Sequence, residues 1–512
     1  MATEGTDKTR AHLVGIAGSG MRSLADVFLD WGWRLSGSDE VIEPAEYLAA
    51  RGVSLHGGHA AEYLPPDAEV VIASDAVPRT NPEICRAVER GIPVLSYAEM
   101  LGRIMVGRRG LAVAGTHGKS TTTAMGAELL VRAGKDPTVV YGAMPLAHFP
   151  LTPGPSPNTS PKRKRGNGND LPSLALRASV AHPAPECRNA RTIPASGGRA
   201  GGGDLMLVEA CEYRANFLHL NPEQAVILGI EPDHFDFYRS VDQLVEAFAA
   251  FAQRLPDGGL LLARHDCERT RRAASDLRCR VETFGLSSGA DWSVRGLRSR
   301  QGRFQFTLAH RGRLLGEVRL QVPGRANVLN ALAAAALAAS NGVPAAEIAA
   351  GLASFRGLRR RMESLGMFGG VALLDDYAHH PTQIAASLGA ARQIYPGRRL
   401  WCVFQPHQAS RTEHLLDELA QSLQNADMVV IAEIFRAREP HPPIGEVTAA
   451  DLACQARAGG VEVAEVHQTD PILRLLESRL RPGDVLMTLG AGDVRKFCNA
   501  FICRFREDRA AG

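Results

Sequence analysis

The sequence predicts an α/β protein of three units, each built on a parallel sheet. Three observations predict it. Apolar strand-length runs alternate with stretches of helical spacing along most of the chain, which is the grammar of βαβ units. The chain's 512 residues are enough for about three domains at the usual ~100–200 residues each. Short polar clusters follow the apolar runs in all three units, where open α/β sheets bind ligands.

The first unit, residues 1–108, opens with the apolar run "HLVGIAG" and continues through "MRSLADVFLDWG", which has helical spacing. "AEVVIASDAV" repeats the strand-then-turn theme, and "ICRAVERGIPVLS" reads as a helix and a strand. The second unit, 109–356, starts with strand, loop and helix in "GLAVAGTHGKSTTTAMGAELLVRAG". It continues through "DLMLVEACEY" and "QAVILGIEPDHFDFY", two buried strands with polar tips, to the helix "NVLNALAAAALAASNGV". The third unit, 357–512, alternates "GVALLDDYAHH", "RRLWCVFQPHQ", "ADMVVIAEIF" and "DVLMTLGAGDV" with helical stretches.

One segment departs from this pattern. Residues of about 147–200 are rich in Pro, Gly, Ser and Asn, a composition that cannot build a core, and are expected to form a disordered or loosely attached insert. Residues 146–203 hold eight Lys/Arg against Asp170 and Glu186, so a net +3 for the whole chain leaves the remainder at −3. The run "PKRKRG" is therefore expected to be a solvated basic loop, and no nucleic-acid partner is expected. No apolar stretch approaches the ~20 residues of a membrane span. The polar start and the nine scattered cysteines without a C-x-x-C pair predict a cytoplasmic protein with reduced thiols, no signal peptide and no membrane partner.

The stretch "LAVAGTHGKSTTT" places Gly115, Thr116, His117, Gly118, Lys119, Ser120 and Thr121 between an apolar strand and a helix. That is the setting of a phosphate loop, although Val113 stands where G-x-x-x-x-G-K-[ST] has its first glycine. Backbone N–H groups and the helix start would cradle phosphate oxygens. Lys119 would bridge the β- and γ-phosphates, and Ser120 would offer an oxygen to Mg²⁺. Glu209 and His234, at the tips of the next two strands, complete a metal or phosphate set. In the first unit "GIAGSGM" carries Gly18, Ser19 and Gly20 at a helix start, where a diphosphate fits. Asp39 lies about where an acid meets a ribose hydroxyl. The spacing G-x-x-G-x-G is not the dinucleotide pattern, which argues against an NAD enzyme.

Together these residues resemble the Mur ligase family across nearly the whole chain, in order. "GIAGSGM", "SGSD" and "NPEI" are similar to its UDP-binding domain, and "GTHGKSTT" to its ATP loop, which uses G-T-x-G-K-[ST] and so explains Val113. "FLHLNPEQAVILGIEPDHFD", "PGRANVLNALAA" and "GLRRRME" are similar to the central domain, and "DDYAHHPTQ", "QPHQASRT" and "GAGDV" to the C-terminal one. The resemblance implies a Rossmann-like N-terminal domain that binds the UDP-sugar, a P-loop-type central ATPase domain with a parallel sheet, and a Rossmann-like C-terminal ligase domain. It implies an ATP- and Mg²⁺-dependent ligase that joins L-alanine to the lactyl carboxylate of UDP-N-acetylmuramate through an acyl phosphate, acting as a monomer or weak homodimer. By the resemblance Ser38 and Ser74 join the sugar-nucleotide site. Lys119, Glu209 and His234 are catalytic, and Ser120, Glu209 and His234 hold Mg²⁺. Asn327 and Asn330 meet adenine, and Arg361 and Asp376 close over ATP. His379, His380 and Arg411 line the amino-acid side.

Three departures stand out. The family's E-A-D-E-S-D reads "EACEYR", with Cys211, Tyr213 and Arg214 replacing Asp, Ser and Asp. Ala326 replaces the histidine of P-G-x-H-N. The insert stands where the family has a short loop. Tyr213 leans toward the related ligase that recycles murein tripeptide, whereas "FLHLNP" and "DYAHHPT" lean toward alanine. An inactive nucleotide-binding scaffold is the reading from another class. Folylpolyglutamate synthases share the chemistry, but usually carry Asn in place of His117 and lack the UDP domain.

Overall fold

Each apolar run of the first unit becomes a strand of one five-stranded parallel sheet. From one edge to the other it runs Ser54–Gly57, Arg34–Asp39, Arg10–Val14, Val70–Ala73 and Val94–Ser96. The strand order reverses at Arg10–Val14, so the glycine-rich loop after it sits at the switch point where such sheets bind ligands. The structure, a computed structural model, describes residues 9–146, 196–437, 446–464 and 467–511.

The second sheet has ten strands. Seven are parallel and carry the site: Thr138–Tyr141, Leu205–Glu209, Arg109–Ala114, Gln224–Ile227, Leu260–Arg264, Arg280–Phe284 and Trp292–Arg300. Three depart from the parallel sheet expected from the sequence. Arg303–His310 and Arg313–Pro323 extend it as an antiparallel meander. Its register is set by alternation: Phe304, Phe306 and Leu308 are buried and the residues between them are not, the period-two pattern of a half-buried strand.

The third departure corrects the bound of the insert. Gly197–Arg199, inside the stretch of about 147–200 read as loosely attached, pairs antiparallel with Thr138–Tyr141 as the edge strand. Glycine there leaves room for close backbone approach: a Cβ on Gly198 would fall on the backbone carbonyl of Ser23. The rest of the stretch lies outside the described residues.

Helix Lys119–Arg132 and the Ala-rich helix Ala326–Ser340 pack side by side on one face of the central sheet. Alanine side chains allow that approach, and Ala331 to Ala338 are all buried with Leu111 and Val113. On the other face, Ala112, Ala225 and Phe248 belong to the same hydrophobic core as Leu13, Leu24 and Met100 of the first unit. The first two units therefore share a core.

The third sheet, of six strands, starts with the antiparallel Glu363–Phe368 and continues in parallel through Val371–Asp376, Val485–Leu489, Leu400–Phe404, Met428–Ile431 and Val463–Ala464. It is packed on both faces by its own apolar clusters. The chain enters it through residues 357–362, where Arg360 and Met362 hold left-handed backbone at φ 57° and 49°. Such strained φ values in bulky residues persist only where neighbours enforce them. Here Asp376 accepts the Met362 N–H at 2.7 Å, and Arg360 O accepts from Tyr377 N at 2.7 Å.

Candidate functional site

The phosphate loop follows strand Arg109–Ala114, and its two glycines have structural reasons to be there. Gly115 (φ 125°) and Gly118 (φ 85°) occupy left-handed backbone, and a Cβ at either would meet Leu228 or the side chain of Asn330. Val113 is a buried strand residue, so the loop turns two residues later than the longer pattern requires. Thr116 Oγ1 accepts the Glu231 N–H at 2.9 Å and ties the loop to the next strand tip. Thr121 is buried in the first turn of the helix.

Lys119 folds back over the loop. Its Nζ donates to the Gly115 carbonyl at 2.7 Å and pairs with Glu212 at 2.7 Å. Ser120 Oγ donates to Glu209 Oε1 at 3.0 Å, and Glu209 Oε2 accepts the Gly142 N–H at 2.8 Å. His234, in left-handed backbone at φ 57°, brings Nε2 within 3.4 Å of Glu212 Oε1. Lys119 and Ser120 at one helix start thus converge with Glu209 at a strand tip and His234 in the loop after the next strand. Glu212, absent from the expected site residues, stands at their centre with its side chain 1% exposed. Burial alone would raise its pKa, but Lys119 and then His234 hold it below the usual carboxylate range. Burial alone would lower Lys119, but Glu212 first among its neighbours holds it above. The signal was legible, since Glu212 is the second acid of "EACEYR".

That motif is unusual in its backbone as well. Arg214 and Ala215 sit at φ 52° and 57°, consecutive left-handed residues without glycine. The turn is held by Tyr213 Oη donating to Asp236 at 2.9 Å and Asn216 Nδ2 donating to Asp75 at 2.5 Å. Cys211 reaches solvent on one side, yet the surrounding protein and the Glu212 charge push its thiol up to about 12.

In the first unit, the helix Ser19–Asp30 begins after Gly18 with no side-chain cap, which leaves its first N–H groups without a capping side chain. Ser19 lies against Gly142, the residue whose N–H binds Glu209. Gly20 packs on the Tyr97 ring, and Gly15 on Ser74. Asp39 Oδ2 accepts the Ala17 N–H at 2.9 Å, shaping the loop. Ser38, expected at the sugar-nucleotide site, faces inward in this structure. It is fully buried, with its hydroxyl 2.7 Å from Glu83 and its carbonyl accepting from Gly15 and Ile16 N–H. Glu83, also fully buried, binds His12 at 2.5 Å and His59 at 2.8 Å. This network under the loop was missed, although "NPEI" contains its central acid.

Asn327 and Asn330 share a face of helix Ala326–Ser340 and bond to each other at 3.0 Å, with Asn330 against Gly118. Beside the start of that helix is an open cleft of about 560 Å³ lined by Arg264, Asp266, Leu286, Ser287, Arg325, Ala326, Leu329 and Thr382. The arginines and Asp266 were not anticipated.

Asp376, expected with Arg361 to close over ATP, has its own bonds in this structure. It is buried, and its two oxygens accept the Met362 and Ala378 N–H groups at 2.7 and 2.8 Å. It braces the entry to the third unit, while Arg361 lies over the Tyr377 ring at 4.8 Å. Across the junction, Arg411 forms a buried pair with Asp233 at 2.8 Å. Burial opposes the ionised Asp233, but Arg411 pulls its carboxyl far below the ordinary range. His380 Nε2 bonds to the Pro232 carbonyl at 3.1 Å, and burial holds its pKa down to about 4. His379 is also kept neutral, by burial and then by Arg411, with Nδ1 bonded to Tyr377 O at 2.9 Å. Glu231, Asp233, Thr382 and Gln383 carry this junction, and all four lie inside motifs quoted above.

Comparison with known proteins matches this arrangement. Residues 10–109 match the Mur ligase family catalytic domain, 198–338 the Mur ligase middle domain, and 360–492 the Mur ligase glutamate ligase domain. The UDP-N-acetylmuramate–L-alanine ligase of Desulfitobacterium hafniense is 38% identical, with 96% of this chain and 99% of that protein covered. The enzyme of the same name from Clostridium novyi is 35% identical over 96% and 97%. Among solved structures, the UDP-N-acetylmuramate–alanine ligase of Thermotoga maritima superposes with a TM-score of 0.73 at 25% identity, covering 98% of this chain and 99% of that one. With three family domains matched in order and relatives of this identity along its length, the chain belongs to the Mur ligase family.

Proposed function

We infer that this chain is an ATP-dependent ligase that joins L-alanine to the lactyl carboxylate of UDP-N-acetylmuramate in peptidoglycan precursor synthesis. The observation that carries the reading is the convergence of Lys119, Ser120, Glu209, Glu212 and His234 beside a second, uncapped helix start at Ser19. One site suits the phosphates of ATP and the other a diphosphate. The names of the full-length relatives supply the two substrates.

In this reading the lactyl carboxylate oxygen attacks the γ-phosphorus and the bond to the β-phosphate oxygen breaks, releasing ADP. The alanine amine then attacks the acyl carbon, and inorganic phosphate leaves as the amide forms. A carboxylate resists attack by an amine, whereas an acyl phosphate does not, so the enzyme's task is positioning and charge stabilisation. Lys119 exchanges its bonds to Gly115 O and Glu212 for the phosphoryl oxygens. Asn327, Asn330 and the adjoining cleft receive the adenosine.

The donor set of Ser120 hydroxyl, Glu209 carboxylate and His234, with the hydroxyl and carboxylate 3.0 Å apart, fits a hard divalent cation, and these three residues would hold Mg²⁺. Bound there, Mg²⁺ would neutralise phosphate charge. His379 is neutral with Nδ1–H committed to Tyr377 O, which leaves Nε2 as an acceptor for the amino-acid ammonium.

Phosphate release with UDP-N-acetylmuramate and, separately, L-alanine, glycine, L-serine and murein tripeptide tests the reading. L-Alanine should give the highest kcat/KM. Preference for the tripeptide, or no release with any of the four, overturns it.

A further inference from the structure

We propose that His117, Glu231 and His380 form a second metal site, distinct from the Ser120–Glu209–His234 set, that takes a borderline divalent cation such as Zn²⁺. Two imidazoles and one carboxylate from three separate elements meet there, with one ligand atom from each lying within 4.8 Å of the others. His117 Nε2 is 3.4 Å and His380 Nδ1 3.8 Å from the same oxygen, Glu231 Oε2. Ligand atoms on a tetrahedral zinc sphere at 2.0–2.1 Å stand about 3.3 Å apart, so the two histidine–carboxylate edges, 3.4 and 3.8 Å, are near that spacing, and the two imidazole nitrogens, within 4.8 Å of each other, must draw together around the ion.

The surroundings support each ligand. The His380 Nε2 bond to the Pro232 carbonyl, 3.1 Å, fixes the tautomer with its lone pair on Nδ1. That backing is what metal-bound histidines use. His380 Nδ1 meets the Thr382 N–H only at 3.4 Å and would exchange that long bond for the ion. Thr382 Oγ1 donates to Glu231 Oε2 at 2.5 Å and orients the carboxylate. His117 Nε2 is a buried atom with no hydrogen-bond partner. His117 Nδ1 faces Gln383 Nε2 at 2.8 Å. Turning the Gln383 amide presents its oxygen to Nδ1–H and frees the Nε2 lone pair. It gives up only the long bonds from His379 and His380 N–H to Gln383 Oε1, 3.2 and 3.4 Å. The nitrogen-rich set separates this site from the oxygen-rich one, since imidazole suits zinc and carboxylate with hydroxyl suits magnesium. One neutralised carboxylate leaves the bound ion with a single net positive charge and a fourth position for water.

The location gives the ion a consequence. His117 belongs to the phosphate loop and His380 to the start of helix Pro381–Ile394 in the third unit, so an ion held by both fastens the loop to that unit.

Co²⁺ and Zn²⁺ binding to the full-length protein without nucleotide, in millimolar Mg²⁺ to fill the hard-oxygen site, tests this independently of ligase activity. The expected result is one Co²⁺ per chain with the intense visible bands of tetrahedral coordination, displaced by Zn²⁺ and accompanied by a higher Tm. His117→Ala, Glu231→Gln and His380→Gln should each lose the bands and the Tm gain, while His234→Ala keeps both. Circular dichroism identifies any variant that fails to fold, and three substitutions at separate elements keep the test open if one does. Octahedral spectra only, bands retained in the folded variants of the trio, or loss of the bands in His234→Ala alone overturns the proposal.

Discussion

Lys119 and Glu212 form a buried ion pair at the centre of the phosphate loop, 2.7 Å from Nζ to Oε2. Each is desolvated and each keeps the other charged. In the proposed mechanism this carboxylate holds in place the lysine that meets the γ-phosphate. Lys119→Ala is expected to lose ~10²–10³ or more in kcat, the cost of removing one preorganised electrostatic contact, and to leave Glu212 buried without its partner. Steady-state phosphate release measures the first effect and urea unfolding the second. Near-normal turnover would remove the ATP-loop assignment.

The residue at 211 bears on the proposed Mg²⁺ set, because it stands two positions after Glu209. A thiol pushed up to about 12 stays neutral at pH 7 and is a poor ligand for a hard cation. Glu209→Ala should therefore abolish activity, while Cys211→Asp should preserve it and lower the Mg²⁺ concentration for half-maximal rate. A dead Cys211→Ala that Cys211→Asp does not rescue would give the cysteine a role of its own.

Two deletions separate the insert from the fold. Replacing residues 147–195 by a short Gly-Ser linker, with Ser196 to Ala200 kept, should yield a folded enzyme. Its kcat/KM should lie within ~10-fold of the parent, equivalent to about 1.4 kcal/mol. Extending the deletion through Arg199 removes the edge strand and should lower Tm. A larger kinetic loss in the shorter deletion would make the segment part of the working site.

The junction is sensitive to acid. Glu231 is opposed by burial, but His117 and Thr382 lower its carboxyl from 4.5 to about 2. A depressed carboxyl stabilises the folded state fully above its unfolded value, and that contribution is lost as pH falls from about 4.5 toward 2. Glu231→Gln should therefore lower stability at pH 7 and flatten the acid limb of the unfolding curve over that window. Parallel curves for the two proteins would show that Glu231 contributes no such linkage.

Much of this site is legible in the sequence because its residues follow apolar strands and cluster in short motifs. Lys119, Ser120, Glu209 and His234 are found this way, since a parallel sheet sends successive strand tips to one edge. Ser38 and Asp376 stand in the right motifs, but which way a side chain turns depends on packing, and both turn inward to bond with buried groups. Glu83 was hidden for the same reason: its partners His12, Ser38 and His59 are distant in sequence. The edge strand Gly197–Arg199 reads as low-complexity chain because glycine gives it no apolar pattern, although close approach to Ser23 is what excludes larger residues there.

The core shared by the first two units has a metrical consequence. Leu13, Leu24 and Met100 are packed with Ala112, Ala225 and Phe248, so the uncapped helix start at Ser19 and the phosphate loop cannot move apart without opening an apolar interior. The third unit keeps its own interior and meets the centre through ion pairs, hydrogen bonds and a few side-chain contacts. In the function proposed above, the two loops therefore serve as the fixed jaws of a caliper. A molecule bound by both is selected by its length before any chemistry begins, whereas the partner delivered by the third unit is selected by how that unit closes.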